Sequence, residues 1–427
     1  MEVEREFAIP FGRGQLRVRA AADLIAPKTA PPTGDQRKII EAALEHPIGR
    51  PPLRDIVQPG ERIAIIVNDI TRLCRSDLML PPIVDVLNSA GIPDHDIFIV
   101  FALGIHREHR EAEHRQIVGE EIYGRFRMFD HISTDNDNLI YVGTTSFGNR
   151  VEINREVWEA DRIILTGEII YHLIAGYSGG RKSLVPGVAG FATTTFNHRM
   201  IFDPRCRVGV LDGNPAHEDL LEACRLVDPD FLVNLVLTSE GKVARAVAGH
   251  YDLAHREGCR TVDEMMRVTM DEPYDLIIAS AGGFPLDIDL RQAHKPLENA
   301  CQALRPGGSI LFYAECSNGA GIRSFEEYVE RFSTDEEMRH KLERQFVVGG
   351  HKAYWVTRLG RRYDVHLVST LNREFVERCH FHHVALRDHE TRLAQLLSNS
   401  GRPRRVAVIP HAAFTLPALD FIRAEMP

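Results

Sequence analysis

Disulfide chemistry, nucleic-acid binding and membrane insertion all find little support in this sequence. The seven cysteines among 427 residues (Cys74, Cys206, Cys224, Cys259, Cys301, Cys316 and Cys379) are odd in number and scattered. They are never spaced as a paired metal knuckle, so they read as reduced thiols of a cytoplasmic protein. Basic charge is also short. Acidic residues outnumber basic ones by 60 to 51, a net charge of −9, which leaves no electrostatic footprint for nucleic acid or anionic lipid. No apolar run approaches the roughly 20 residues that span a bilayer, and the opening Met1-Glu2-Val3-Glu4-Arg5-Glu6 is too acidic for a signal peptide. Internal repeats and low-complexity tracts are absent. What remains is ordinary globular material, 44% hydrophobic and 26% charged, long enough for two or three domains and suited to a small-molecule partner.

The pattern along the chain is that of an α/β protein. Glu6–Pro10 and Gln15–Arg19 alternate on either side of Gly12-Arg13-Gly14, which predicts a hairpin, and helical spacing follows over 35–45. Arg62–Val67 is a buried-strand run ending in Asn68-Asp69-Ile70-Thr71-Arg72, polar residues where open α/β sheets place ligands. A second strand, Asp96–Phe101, ends in Ala102-Leu103-Gly104-Ile105-His106-Arg107. Helical spacing appears over Leu80–Ala90 and Glu111–Phe126, and strands are expected at 139–142, 151–153, 162–166 and 231–238, with a helix over Pro215–Val227. The pattern restarts near Glu272-Pro273, with strands at Tyr274–Ser280, Ser309–Tyr313, Val365–Ser369 and Val406–Ile409. Residues 1–270 therefore read as one domain and 271–409 as another, with 410–427 returning to the first.

One stretch carries chemistry. After the strand Arg162–Thr166, a loop runs Gly167-Glu168-Ile169-Ile170-Tyr171-His172-Leu173-Ile174-Ala175-Gly176-Tyr177-Ser178-Gly179-Gly180-Arg181-Lys182-Ser183 and continues through Pro186-Gly187 to Asn197-His198. A triphosphate cradle needs Gly, Lys and Ser/Thr in direct succession so that amides and lysine converge on phosphate. Arg181 interrupts that order. In the second domain, Gln292 and Lys295 stand three apart at a helix start and share a face. Taken alone, both read as a solvated helix start.

Taken together, these motifs resemble the lactate racemase family. The match runs through Asp69-x-Thr71-Arg72, Gly104-x-His106-Arg107, His172, Ala175-Gly176-x-Ser178-Gly179-Gly180, Lys182, Pro186-Gly187, Asn197-His198, Gly213-Asn214-Pro215-x-His217 and Gln292-x-x-Lys295, in the family's order. The resemblance implies two α/β domains with the active site in the interdomain cleft. It implies racemisation or epimerisation of a 2-hydroxy acid at C2 by reversible hydride transfer to a nickel-pincer nucleotide. That cofactor is a pyridinium-3-thioamide-5-thiocarboxylic acid mononucleotide, joined covalently to Lys182, with His198 completing the nickel shell. Carbon, sulfur and imidazole donors suit nickel. Cofactor-maturation proteins are implied as partners.

The resemblance also distributes roles. The alcohol proton must leave before hydride does, from either face, so two bases of pKa near working pH are required; His106 and His172 match them. Arg72 offers a bidentate fork for the substrate carboxylate and Lys295 a point charge, while Gln292 orients the keto oxygen. Asp69, Thr71, Ser178, Gly179 and Gly180 are assigned to the cofactor side. This chain departs from the family at Leu73, where proline is usual, and at Ile105, where threonine is frequent; both bear on pocket shape. Arg291 stands where lactate racemase carries an aromatic residue, which points to a substrate more polar than lactate, a malate-like or sugar acid. Two other readings stay open: a zinc-assisted hydrolase or lyase using His106, His172 and His198, and a nucleotide cofactor-binding protein without turnover.

Overall fold

The structure, a computed structural model, describes residues 4–28, 34–72, 74–398 and 404–419. It divides into two compact α/β units, one formed by Ala30–Glu264 and the other by Met1–Thr29 with Met265–Pro427. The break falls close to the expected position. The opening segment does not follow the expected division, because residues 1–29 join the second unit and not the first. The cause is apolar burial: Phe7, Ile9, Phe11 and Val18 of the hairpin Arg5–Phe11/Gly14–Ala20 share a core with Leu276, Ile278, Leu311 and Val408.

The first unit is built on a six-stranded sheet. Its strands are β1 (Ile63–Asn68), β2 (Ile97–Ala102), β3 (Arg127–Asp130), β4 (Arg162–Glu168), β5 (Phe231–Leu237) and β6 (Val243–Gly249), in spatial order β6-β5-β4-β1-β2-β3. All neighbours are parallel except β5 and β6. Ile63 through Val67 are each completely buried, as expected for a strand covered on both faces. Each such isoleucine or valine removed from water contributes about 1.5–3 kcal/mol. The strand order reverses between β1 and β4, and in open α/β sheets the crevice beyond such a reversal is where ligands bind.

The second unit carries strands β7 (Tyr274–Ser280), β8 (Leu304–Tyr313), β9 (Asp364–Val368), β10 (His382–Val384) and β11 (Val406–Ile409), ordered β10-β9-β8-β7-β11, with Asp23–Leu24 on the far edge. Every pairing in this six-stranded sheet is parallel. Leu416–Leu419 pairs with Arg267–Met270, so the closing segment also belongs to this unit and does not return to the first; residues 420–427 lie outside the described residues.

Two expected helices have different bounds. The one expected over Glu111–Phe126 ends at Val118, because Gly119 adopts φ +80° and turns the chain out. The one expected from Leu80 starts earlier, at Ser76, and accommodates Pro81 and Pro82 in its first two turns.

Candidate active site

In the first unit, three strand ends converge on the β1/β4 reversal. Leaving β1, the chain makes a tight turn in which Arg72 N–H reaches the Asp69 carbonyl (3.1 Å) and the Asp69 carboxylate accepts from Thr71 N–H (3.0 Å) and Thr71 Oγ1 (2.6 Å). The other carboxylate oxygen of Asp69 is hydrogen-bonded to Nδ1 of His106, from the loop after β2. Burial alone would raise the carboxyl pKa of Asp69, but the His106 bond, the Arg72 charge and Thr71 together hold it well below the usual range. An ionised carboxylate on Nδ1 keeps the ring proton there and leaves the lone pair on Nε2, the form of a general base. Asp69 and Thr71 were expected on the cofactor side; here they form the support of His106.

Leaving β4, the loop folds back as a two-residue hairpin, Tyr171–His172 against Gly176–Tyr177. His172 Nδ1 accepts from Ile174 N–H and Ala175 N–H, both at 3.2 Å, and its Nε2 lies 3.5 Å from Lys182 Nζ. Lys182 itself sits on a single 3-10 turn, Gly180–Ser183. That turn is closed by Lys182 O accepting from Gly187 N–H (3.1 Å), and a Cβ on Gly187 would stand 1.9 Å from the Ser183 carbonyl oxygen. Only glycine fits there. The Gly187 carbonyl in turn accepts from Gly104 N–H (2.9 Å), which links the Lys182 turn to the loop of His106.

Ser178, Gly179 and Gly180 were also expected to hold cofactor. Their polar groups serve the loop itself: Ser178 Oγ donates to the Glu168 carbonyl (2.8 Å) and accepts from Ile170 N–H (2.9 Å), and Gly180 N–H donates to Asn234 Oδ1 (2.7 Å). Gly179, at φ +69°, has Asn234 Oδ1 2.6 Å from where a Cβ would be. Asn214 caps the helix α2 (Pro215–Val227) and donates to Ile174 O (2.8 Å), holding the His172 hairpin from its other side.

His198 closes the helix α1 (Phe191–His198), and its Nδ1 donates to Thr194 O at 2.8 Å. This bond fixes the tautomer whose Nε2 bears the lone pair, the orientation that protein imidazoles adopt when they ligate a metal. An amine on a closed turn and an imidazole of fixed tautomer fit the donor set of a lysine-linked nickel-pincer nucleotide. The zinc reading gains no such support. Among the described residues, the groups of three with ligand atoms within 4.8 Å of one another are His109–His114–Asp130 and Asp364–His366–His382, and His106, His172 and His198 are not among them. In the second of these groups, Nε2 ligation by His366 would move a proton to Nδ1, which is buried with no partner.

Two residues escaped sequence reasoning. Arg181, 1% exposed, donates to the carbonyls of Ala175 (2.7 Å) and Tyr177 (3.1 Å) and so staples the loop from inside; burial depresses its pKa to about 10. Glu168, the last residue of β4, is buried, which raises its carboxyl pKa to about 7 against the opposing pull of Arg72. A polar residue at a strand end was the available signal for Glu168; Arg181 lies on the 3-10 turn of Lys182, which no strand end marks. Leu73 lies outside the described residues.

In the second unit, the helix α3 (Leu290–Cys301) begins just beyond the end of β7, whose partners β8 and β11 flank its own order reversal. Asp289 caps it, accepting from Gln292 N–H at 2.7 Å, and Lys295 Nζ donates to Gln292 Oε1 at 2.9 Å, so the two share a face as the spacing predicts. Arg291 is not a solvated arginine. Its side chain is 16% exposed, it pairs with Asp289 at 3.9 Å, and its Nε is buried without a hydrogen-bond partner.

Residues 12–209 match the lactate racemase N-terminal domain and residues 269–414 the lactate racemase C-terminal domain. The lactate racemase of Thermoanaerobacterium thermosaccharolyticum is 34% identical over 309 residues, 72% of each chain. The chain belongs to the lactate racemase family. As a member it is an enzyme, an isomerase of the racemase class. The lactate racemase of Lactiplantibacillus plantarum is 34% identical over 292 residues, 68% of each chain. The structure of the lactate racemase apoprotein from T. thermosaccharolyticum superposes with a TM-score of 0.89 at 29% identity, covering 97% of this chain and 100% of that one. A Thermotoga maritima protein with a TM-score of 0.67 and 16% identity, covering 91% of this chain and 100% of that one, shares the fold. No helix among the described residues is long and apolar enough to cross a membrane.

Proposed function

We propose that this racemase family member interconverts the C2 epimers of a 2-hydroxy acid with His106 and His172 as the acid/base pair, Lys182 as the attachment point of a nickel-pincer nucleotide and His198 as the protein's nickel ligand. When bound, that cofactor supplies a reversible acceptor for the C2 hydride. The observation that carries the reading is the pairing of His172 Nε2 with Lys182 Nζ at 3.5 Å, in the same unit as a second histidine set up by Asp69.

The two rings differ at Nε2. His106 carries its proton on Nδ1 and presents a lone pair, ready to take the alcohol proton. His172 accepts backbone N–H groups at Nδ1, so the neutral ring carries its proton on Nε2. Racemisation needs one ring neutral to take the proton and the other an imidazolium to give it, so His172 must also be protonated at Nδ1 before it can act as the acid. For His172 to take a proton at Nε2 in the reverse direction, its Nδ1 must release Ile174 and Ala175 N–H. Arg72, whose charge acts on both Asp69 and Glu168, is assigned to the substrate carboxylate.

Gln292 and Lys295 are proposed as the substrate-binding residues of the second unit. Arg291 selects the substrate's polarity: a guanidinium with a buried N–H lacking an acceptor calls for an anionic or hydroxylated ligand, which favours a dicarboxylic 2-hydroxy acid or a sugar acid over lactate.

The test is intact-protein mass and metal analysis on protein produced in a host that makes the cofactor. Wild type should carry one covalent adduct and one nickel. Lys182→Ala should lose both, and His198→Ala should keep the adduct and lose nickel. Full nickel and activity in Lys182→Ala would refute the assignment, and C2 deuterium left unexchanged by the wild type would favour a carrier without turnover.

A further inference from the structure

Beside the catalytic loops stands a cluster with no role in the chemistry described so far. His109 follows His106 on the same loop, His114 lies on the helix Glu111–Val118, and Asp130 ends β3 opposite Phe101 of β2. We propose that His109, held by Asp130, is a positioning residue: it anchors the backbone turn whose Asp69 orients the base His106.

The contacts run in one direction. Asp130 accepts from the His109 backbone N–H (2.6 Å), from His109 Nδ1 (2.8 Å) and from His114 Nε2 (2.9 Å). The far nitrogen of the ring, His109 Nε2, accepts the backbone N–H of Ile70 at 3.1 Å. Ile70 is the residue between Asp69 and Thr71. Phe101 stacks on His114 (4.3 Å between centroids) and meets His109 edge-on (5.3 Å), and the His109 side chain is 1% exposed. A ring packed this way, with a carboxylate at one nitrogen and an amide at the other, is fixed in position and in tautomer.

The same bonds exclude a metal at His109. A ligating Nδ1 would need the proton on Nε2, where the Ile70 N–H already points.

Turning the Ile70 peptide would carry Asp69 with it and loosen the bond to His106 Nδ1. The imidazolium of His106 would then lose its nearest counter-charge and titrate at lower pH. His109 touches neither substrate nor cofactor in this account, so its effect must appear through His106.

The experiment titrates His106 by NMR in the full-length chain, its ring signals identified by their absence in His106→Gln. His109→Gln can reach Ile70 N–H with its side-chain carbonyl. His109→Asn keeps a donor for Asp130 but is too short to reach Ile70. The asparagine variant should lower the His106 titration by about one pH unit while the glutamine variant stays within a few tenths of wild type. An unshifted titration in His109→Asn, or equal shifts in both variants, would overturn the proposal. The wild type supplies a check that needs no variant to fold: ring 15N shifts should show His109 protonated at Nδ1 and bare at Nε2, and the opposite tautomer would overturn the proposal as well.

Discussion

Glu168 makes the stability of this protein depend on pH in a direction opposite to most carboxylates. Its carboxyl titrates near 4.5 in an unfolded chain and at about 7 when folded, because burial at the end of β4 disfavours the charge more than Arg72 favours it. Below pH 4.5 both states are protonated and the group contributes no slope. Between 4.5 and about 7 the unfolded chain has released the proton and the folded one keeps it, so the folded state binds more protons and stability falls as pH rises. Above about 7 both are ionised and the loss is complete. At 1.36 kcal/mol per pH unit, the total is about 3 kcal/mol. Glu168→Gln is neutral in both states and removes this slope. The stability gained by the variant over wild type should therefore be about 2–3 kcal/mol larger at pH 8 than at pH 5, read from urea unfolding at the two pH values. Glu298, buried in the other unit with a pKa also raised to about 7 by burial, is present in both proteins and cancels in the subtraction. The two units can unfold in separate steps, so the transition to follow is the one the substitution moves. A difference between variant and wild type that is the same at both pH values would refute the reasoning.

Three further outcomes are expected. Asp69→Asn should lower kcat by about 100-fold with little change in KM, since the amide keeps the shape of the turn but not the charge that orients His106; steady-state kinetics in both directions read it. Gly187→Ala should destabilise the first unit by about 2 kcal/mol and reduce the covalent adduct on Lys182, because the new methyl meets the Ser183 carbonyl and the Lys182 turn must open; thermal unfolding and intact mass measure the two effects. Arg291→Tyr should cost malate and gluconate at least tenfold in kcat/KM relative to lactate, about 1.4 kcal/mol, and an unchanged ratio would remove this arginine from specificity.

The sheets were legible in the sequence because their strands are buried on both faces and read as unbroken apolar runs bounded by polar residues. Ile63–Val67 is the clearest case, and its polar continuation, Asp69 to Arg72, fell at the end of a strand as such residues do in open α/β sheets. The pairing of Gln292 with Lys295 was legible from spacing alone, since helix geometry sets it. Domain membership was not. The opening hairpin is contiguous with the first unit in sequence, and only the destination of Phe7, Ile9 and Phe11 assigns it to the second. Likewise the role of Asp69 depends on a residue 37 positions away, His106, and no local pattern encodes that contact.

The Gly-Gly-Arg-Lys-Ser segment shows how one inserted residue changes what a glycine loop can do. In a phosphate cradle the backbone amides point outward at the ligand, and the lysine follows the last glycine directly. Here the amide of Gly180 points inward to Asn234, and the guanidinium of Arg181 fills the loop from within, bonded to the carbonyls of Ala175 and Tyr177. The Gly180 amide is occupied and Arg181 fills the interior, so the loop is not built as a triphosphate cradle. The strand–loop frame survives, and the lysine one residue on is carried on a rigid turn against His172 instead of over an anion. A buried arginine at a depressed pKa of about 10 is still a cation at neutral pH, so the loop that holds Lys182 is positively charged at its centre.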